Sequence, residues 1–399
     1  MPVYLDHAAS TPVRQIAQDA FTDALAHVGN PSSVHRHGQH AKDVVESARE
    51  VVASIVGCEP IEVIFTSGGT EAINLAIVGL YRHSAELSPL KNSIIVPEAE
   101  HHATQDTVQW LETHDGAQPR WIPVDHHGRI EIPMLEKTLS LHASETAVMT
   151  AIWANNEVGT IQPVHRIAEL AAEHSLPLHI DAVAACGHEQ INFAQLRSAT
   201  GAQKDSGLVA LSISGHKFGA VPGVGALIVS RHAQLLPLIH GGGQQRGLRS
   251  GTMDAPAVAS LAAALTQTYE CRDAEEQRLR ALRDKTIAGI QSIVPDAVLS
   301  GDPHERLSHN VNFTFPGCQS DSLLFLLDAQ GISVSTGSAC QAGVAEPSHV
   351  LLAMGHDERG ATSALRITLG HTTTQVEIDA FLAALPEAVE RARRAGVSA

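Results

Sequence analysis

Apolar strand-like runs alternate with helical patterns through the first two thirds of the 399-residue chain, which predicts an α/β fold with a mostly parallel central sheet covered by helices. The length is sufficient for that domain plus a smaller α+β one, each with its own apolar core. Near Ala255 the composition shifts to a charged helical stretch, which sets the expected division: a large domain over 15–255 and a small domain made of 1–14 and 256–399. The candidate strands are 63–65, 94–96, 147–152, 178–180, 208–213 and 226–229. Ile73, Ala76, Ile77 and Leu80 recur at helical spacing just after a glycine turn and mark one face of a helix. Beyond the junction, 269–293, 321–327 and 377–394 read as helices, and 310–315 and 331–335 as strands.

Composition narrows the function. With 44% apolar and 18% charged residues this is an ordinary globule, and no apolar run approaches the ~20 residues of a membrane span. The N-terminal residues lack the basic start and apolar stretch of a signal peptide, so the expected address is cytoplasmic. A net charge of −16 without clustered Lys or Arg disfavours direct nucleic-acid and anionic-membrane binding. Cys58, Cys186, Cys271, Cys318 and Cys340 are odd in number, far apart and never in a C-x-x-C pair, so reduced thiols are expected rather than disulfides or zinc knuckles. Neighbouring histidines such as His101-His102 and His126-His127 diverge in a regular element and seldom share an ion, so no metal site is expected.

Three elements carry chemistry. Thr66-Ser67-Gly68-Gly69-Thr70-Glu71 lies between a strand and a helix, where tight turns, free N–H groups and the helix dipole suit a phosphate. A plain helix cap is the alternative there. Ser214-Gly215-His216-Lys217 follows the strand 208–213. A lysine that forms a Schiff base must sit at such a strand end, in surroundings that lower its pKa. The other five lysines, Lys42, Lys91, Lys137, Lys204 and Lys285, fall in polar or helical contexts that read as surface. Asp181 ends the strand 178–180, where a buried carboxylate needs a cationic partner such as a protonated pyridine nitrogen; a helix cap or a carboxylate paired with an arginine is the alternative.

These elements join Glu100-His101, Asn155-Asn156-Glu157-Val158-Gly159, Arg249-Ser250-Gly251-Thr252 and Gly337-Ser338-Ala339-Cys340 in an order and spacing that resembles the group I (NifS/IscS-type) cysteine desulfurases, within the class V aminotransferase family. The resemblance runs from Tyr4 to about Glu390 and rests on the motifs jointly. It implies a fold-type I pyridoxal-phosphate enzyme. Lys217 would hold the cofactor as a Schiff base, Asp181 would keep its ring nitrogen protonated, and His101 would stack on the ring. Gly69, Thr70, Ser214 and His216 would receive the phosphate, with Thr252 reaching over from the second subunit of a homodimer. Asn156 would lie beside the phenolate oxygen, and Arg366 would clamp the substrate carboxylate with its planar fork.

Cys340 stands in a run of small residues unlike a packed core segment, whereas the other four cysteines read as buried structural thiols. By resemblance it would attack the sulfur of L-cysteine after Lys217 has removed the α-proton, with His101 assisting. The products would be L-alanine and a persulfide, passed on to an acceptor such as an iron-sulfur scaffold protein or a tRNA-thiolation enzyme. One departure stands out: members carry glutamine three residues after the aspartate, hydrogen-bonded to the phenolate oxygen, and here that position is Ala184. Asn156 or a water could replace the missing donor. The competing readings are a selenocysteine lyase or aminotransferase of the same fold, and a catalytically silent sulfur-pathway scaffold. An aminotransferase has no use for the thiol, and a silent scaffold no use for Lys217, Asp181, His101 and Arg366 together.

Overall fold

The computed structural model describes residues 2–203, 205–337 and 347–396. A seven-stranded sheet runs in the spatial order Val63–Thr66, Gly225–Val229, Gly207–Ser214, Pro177–Asp181, Thr146–Ile152, Ser93–Pro97, Gln118–Ile122. Gly225–Val229 is antiparallel to both of its neighbours, which leaves the other six strands pointing the same way. All six strands expected in this region are present. Their continuous apolar runs have a simple cause: helices cover both faces of the sheet, so these strands are buried throughout. Gln118–Ile122 was not foreseen, because as an edge strand paired only with Ser93–Pro97 it is half-exposed and carries Gln118, Arg120 and Trp121.

The helix Gly69–Leu87 follows the glycine turn directly, and its expected face, Ile73, Ala76, Ile77 and Leu80, is buried against one side of the sheet. The opposite side packs on the helices Arg36–Val56 and Val164–Glu173. The charged helix is longer than expected, running from Ala255 to Ile293 rather than starting at 269. Asp254 caps it by accepting from Ala257 N at 3.0 Å, with Pro256 in its first turn. Its first half is apolar because Val258, Leu261 and Leu265 join the core beneath the sheet, while Leu279, Leu282 and Ile290 join a second core.

That second core is built from the antiparallel strands Val298–Leu299, Asn310–Thr314 and Ala364–Thr368 and the helices Ser320–Asp328 and Gln375–Gly396. Phe313, Phe315, Leu323, Leu365 and Phe381 fill it. The strand expected over 331–335 shrinks to Ile332–Ser333, which pairs in parallel with Val3–Tyr4, while Ser335 makes an isolated bridge to Arg366. Among the described residues, no helix is long and apolar enough to cross a membrane. The four described cysteines are free thiols; Cys186 and Cys318 are buried, but Cys271 is exposed, because it lies on the solvent side of the long helix between its two packed halves.

Candidate active site

Because six strands share a direction, their carboxyl ends meet on one edge, and the motif loops leave from that edge. The result is a cavity of about 290 Å³ lined by Gly69, Thr70, His101, Asn156, Asp181, Ser214, His216 and Lys217 among others. Eight residues expected at the cofactor, scattered over some 150 positions, thus share one wall.

Lys217 follows the strand end of Gly207–Ser214 and donates from Nζ to the carbonyls of Ala8 and, at 3.2 Å, Ala9. Burial pushes its amine down to about 8, aided by the positive charge of Arg366 and opposed by Asp181 and Asp6. Asp181 accepts from Val183 N at 2.9 Å through Oδ1, and its other oxygen receives no hydrogen bond from the described residues. Burial raises it to about 6. Below it, across three neighbouring strands, His179 bonds Thr150 Oγ1 at 2.9 Å and Ser212 Oγ at 2.8 Å, and burial drives this histidine down to about 3, so it stays neutral.

His101 is the N-cap of the helix His102–Asp115: its Nδ1 accepts from Ala103 N at 3.0 Å, which leaves the ring proton on Nε2. Burial and the nearby Lys217 hold it at about 4. The preceding Glu100 is fully buried; Oε1 accepts from Ile152 N at 2.7 Å and Oε2 has no hydrogen-bond partner among the described residues. Burial pushes this carboxyl up to about 8, with the Asp181 charge adding to the shift.

The residues fit pyridoxal phosphate. A half-satisfied carboxylate faces a site where a ring N–H⁺ would complete it, and the lysine amine opens onto the same cavity. On the phosphate side, the helix Gly69–Leu87 starts without any side-chain cap. A Cβ on Gly69 would come within 2.7 Å of Val183 Cγ2, so only glycine leaves this wall open. Thr252 is exposed and does not line the cavity of its own chain. Ala184 does line it, and offers no side-chain donor. Arg366 is buried at the margin, donating to Asn156 O at 3.1 Å and Asp6 Oδ1 at 3.0 Å, with its Nε unpartnered among the described residues. Cys340 lies outside the described residues; Gly337 and Pro347 are the nearest ones on either side.

Several residues of the site escaped the sequence reading. His7, His188, His309 and His371 line the same cavity, with the His188 and His309 rings stacked at 3.8 Å. Asp6 pairs with Arg366, and Arg14 with Glu275. Twenty-four histidines spread over the whole chain gave no signal that these four converge. Among the described residues, no group of three or more His, Cys, Asp or Glu side chains is arranged to hold a metal ion.

This architecture is that of the fold-type I pyridoxal-phosphate enzymes. The family model for class V aminotransferases matches residues 3–381, and the chain belongs to that family. It is 45% identical over 397 residues to an IscS-like cysteine desulfurase of Mycobacterium tuberculosis, covering 99% of this chain and 98% of that one. It is 37% identical over 392 residues to the cysteine desulfurase IscS of Dictyoglomus turgidum, covering 98% and 95%. Among solved structures it superposes on a NifS-like protein with a TM-score of 0.87 at 33% identity, over 98% of this chain and all of the other.

Proposed function

We infer that the chain is a pyridoxal-phosphate-dependent cysteine desulfurase, which takes the sulfur of L-cysteine and leaves L-alanine. The observation that carries this reading is the meeting of Lys217, with its lowered amine pKa, and the half-satisfied Asp181 in one cavity. Bound there, pyridoxal phosphate supplies an electron sink that weakens the bonds at the substrate's α-carbon. Lys217 anchors it and, once displaced by substrate, is the base: an amine at about 8 is part neutral near pH 7.5 and can take the α-proton. Asp181 holds the ring nitrogen's proton. His101 presents Nε2–H to the cavity and stays neutral, so it donates and recovers a proton without adding charge. Gly69, Thr70, Ser214 and His216, all lining the cavity, would hold the phosphate, Asn156 would lie beside the phenolate oxygen, and Arg366 would take the substrate carboxylate in exchange for its contact with Asp6.

The Cys340 thiolate receives the sulfur. The carbon–sulfur bond of L-cysteine breaks as a sulfur–sulfur bond forms, the carbon side takes up a proton, and a persulfide remains on the protein. Two chains form the working unit, each lending Thr252 to the other; Thr252 is exposed and is not among the residues lining its own cavity, which supports this. The division into a large domain over 15–255 and a small domain of 1–14 and 256–399 belongs to the same proposal, as do a cytoplasmic address and an acceptor protein such as an iron-sulfur scaffold. The test is to incubate the protein with L-cysteine, quantify alanine, and search the Cys340 peptide for one added sulfur by mass spectrometry. Alanine without sulfur on that peptide sinks the role of Cys340, and no alanine at all sinks the activity.

A further inference from the structure

The segment that carries Cys340 leaves the described structure at Gly337 and rejoins it at Pro347, and both of its roots reach one buried side chain. Ser348 donates from Oγ to Glu157 Oε2 at 2.6 Å, the short end of the O–H···O range. On the other root, Gly337 lies beside the same carboxyl group: a Cβ built on it would be 3.4 Å from Oε2. Gly337 has φ +87°, and glycine adopts that angle without strain. Glu157 is 3% exposed and belongs to no contact assigned above to cofactor or substrate.

Glu157 is itself held firmly. Asn155 Oδ1 accepts from Glu157 N at 2.9 Å and Val158 N at 3.0 Å, while Asn155 Nδ2 donates to Ala99 O at 2.9 Å. The Glu157 carbonyl accepts from Asn312 Nδ2 at 3.1 Å and Asn310 Nδ2 at 3.3 Å. Its neighbour Asn156 lines the cavity. The roots carry further ties to the same wall. His349 Nε2 meets Glu100 O at 2.8 Å, and Ser335 exchanges both backbone hydrogen bonds with Arg366, at 2.7 and 3.0 Å.

We propose that Glu157 is the positioning residue for the sulfur-accepting thiol: one carboxyl group is bonded to Ser348 at one end of the Cys340 segment and lies beside Gly337 at the other. It touches neither cofactor nor substrate and acts through the chain on either side. Its worth is therefore geometric, since a thiol held off its line of attack by about 1 Å can forfeit roughly 10²-fold in rate. The inference rests on the reading of Cys340 as the sulfur acceptor.

The test uses the cofactor-loaded enzyme and the variants Glu157→Ala, Glu157→Gln and Ser348→Ala. Glu157→Ala is expected to lower kcat for alanine formation by roughly 10- to 100-fold, with KM for L-cysteine and the cofactor absorbance unchanged. Glu157→Gln, which keeps an acceptor for Ser348, recovers most of that loss, and Ser348→Ala reproduces part of it from the other side. Independently of turnover, iodoacetamide labelling of Cys340 before any substrate is added changes in rate by roughly threefold or more in Glu157→Ala, while that of the exposed Cys271 does not. Unchanged kcat and labelling in both Glu157→Ala and Ser348→Ala overturn the inference. So does a loss of cofactor absorbance in parallel with kcat, which would make Glu157 a residue of the fold only. If Cys340→Ala still accumulates alanine at the parent rate, the reading of Cys340 fails first; if it is inactive and the Glu157 variants are normal, only the inference fails.

Discussion

The two halves of the cavity are built by different means. On the sheet side, Glu100-His101, Asn155-Asn156, Asp181 and Ser214 to Lys217 each hang from the end of a parallel strand, and backbone ladders fix them. On the facing side, at the margin of the cavity, Asp6, Gly337, Ser348 and Arg366 come from the two ends of the chain; Arg366 has its own backbone ladder in the strand Ala364–Thr368, but this side meets the sheet side through a few side-chain bonds, Arg366 to Asn156 O, Ser348 to Glu157, His349 to Glu100 O. A sheet edge places groups with a precision no single bond controls. The seam between the two sides hangs on individual bonds and should respond sharply to single substitutions while the cofactor stays bound.

The largest effect should come from the sheet side. Lys217→Ala removes the proposed anchor and base together and is expected to cut kcat by roughly 10²–10⁴-fold, measured as alanine released in a single turnover. Since backbone bonds hold its neighbours, the thermal midpoint should stay near that of the parent. A large drop in that midpoint would break the comparison.

On the facing side, Arg366→Lys keeps the charge and loses the fork. KM for L-cysteine is expected to rise roughly tenfold, with cofactor absorbance unaltered, because a point charge replaces a planar bidentate donor already seated by Asp6 and Asn156 O. A change confined to kcat would place Arg366 elsewhere in the reaction.

Glu100 ties both halves together, and its titration gives the third prediction. Its folded pKa is raised from 4.5 to about 8, chiefly by burial. The folded state therefore holds a proton that the unfolded chain releases above about 4.5, so stability is greatest at low pH and declines as pH rises towards 8. The decline is on the order of a few kcal/mol. Glu100→Gln should flatten that slope in urea titrations at pH 5 and pH 8. A slope that persists in the variant would assign the proton to another group.

How far the sequence could be read follows the same division. Strand ends announce themselves, because a two-sided buried strand is an apolar run and the polar residue that breaks it, Asp181 or Ser214, marks the edge. The edge strand Gln118–Ile122 was invisible for the opposite reason, being half in water. On the facing side Arg366 was found only through resemblance to a family, and its partner Asp6 lies 360 positions away. No periodicity encodes such a pair. Glu157 stands in the Asn155–Gly159 motif, but its bond to Ser348 spans 191 positions and becomes visible only once both cores are assembled. The helix 255–293 was read short because its first half is as apolar as a core segment, which is what it is.

The smallest expected effect concerns the position where the chain departs from its family. Ala184 lines the cavity beside Val183, with no side-chain donor to set against the cofactor's phenolate edge. A neutral donor there favours the ionised phenolate, so its absence raises the pH at which the bound cofactor's absorbance titrates. Ala184→Gln restores the donor on the rigid half, where the backbone bonds Trp153 N to Asp181 O and Ala182 N to Ser212 O already hold the surroundings, so a new side chain need not move its neighbours. The absorbance midpoint should therefore fall by roughly half to one pH unit while KM for L-cysteine holds steady. If KM moved instead, the added side chain would be reaching across the cavity to the substrate side, and the two halves would be less independent than their construction implies.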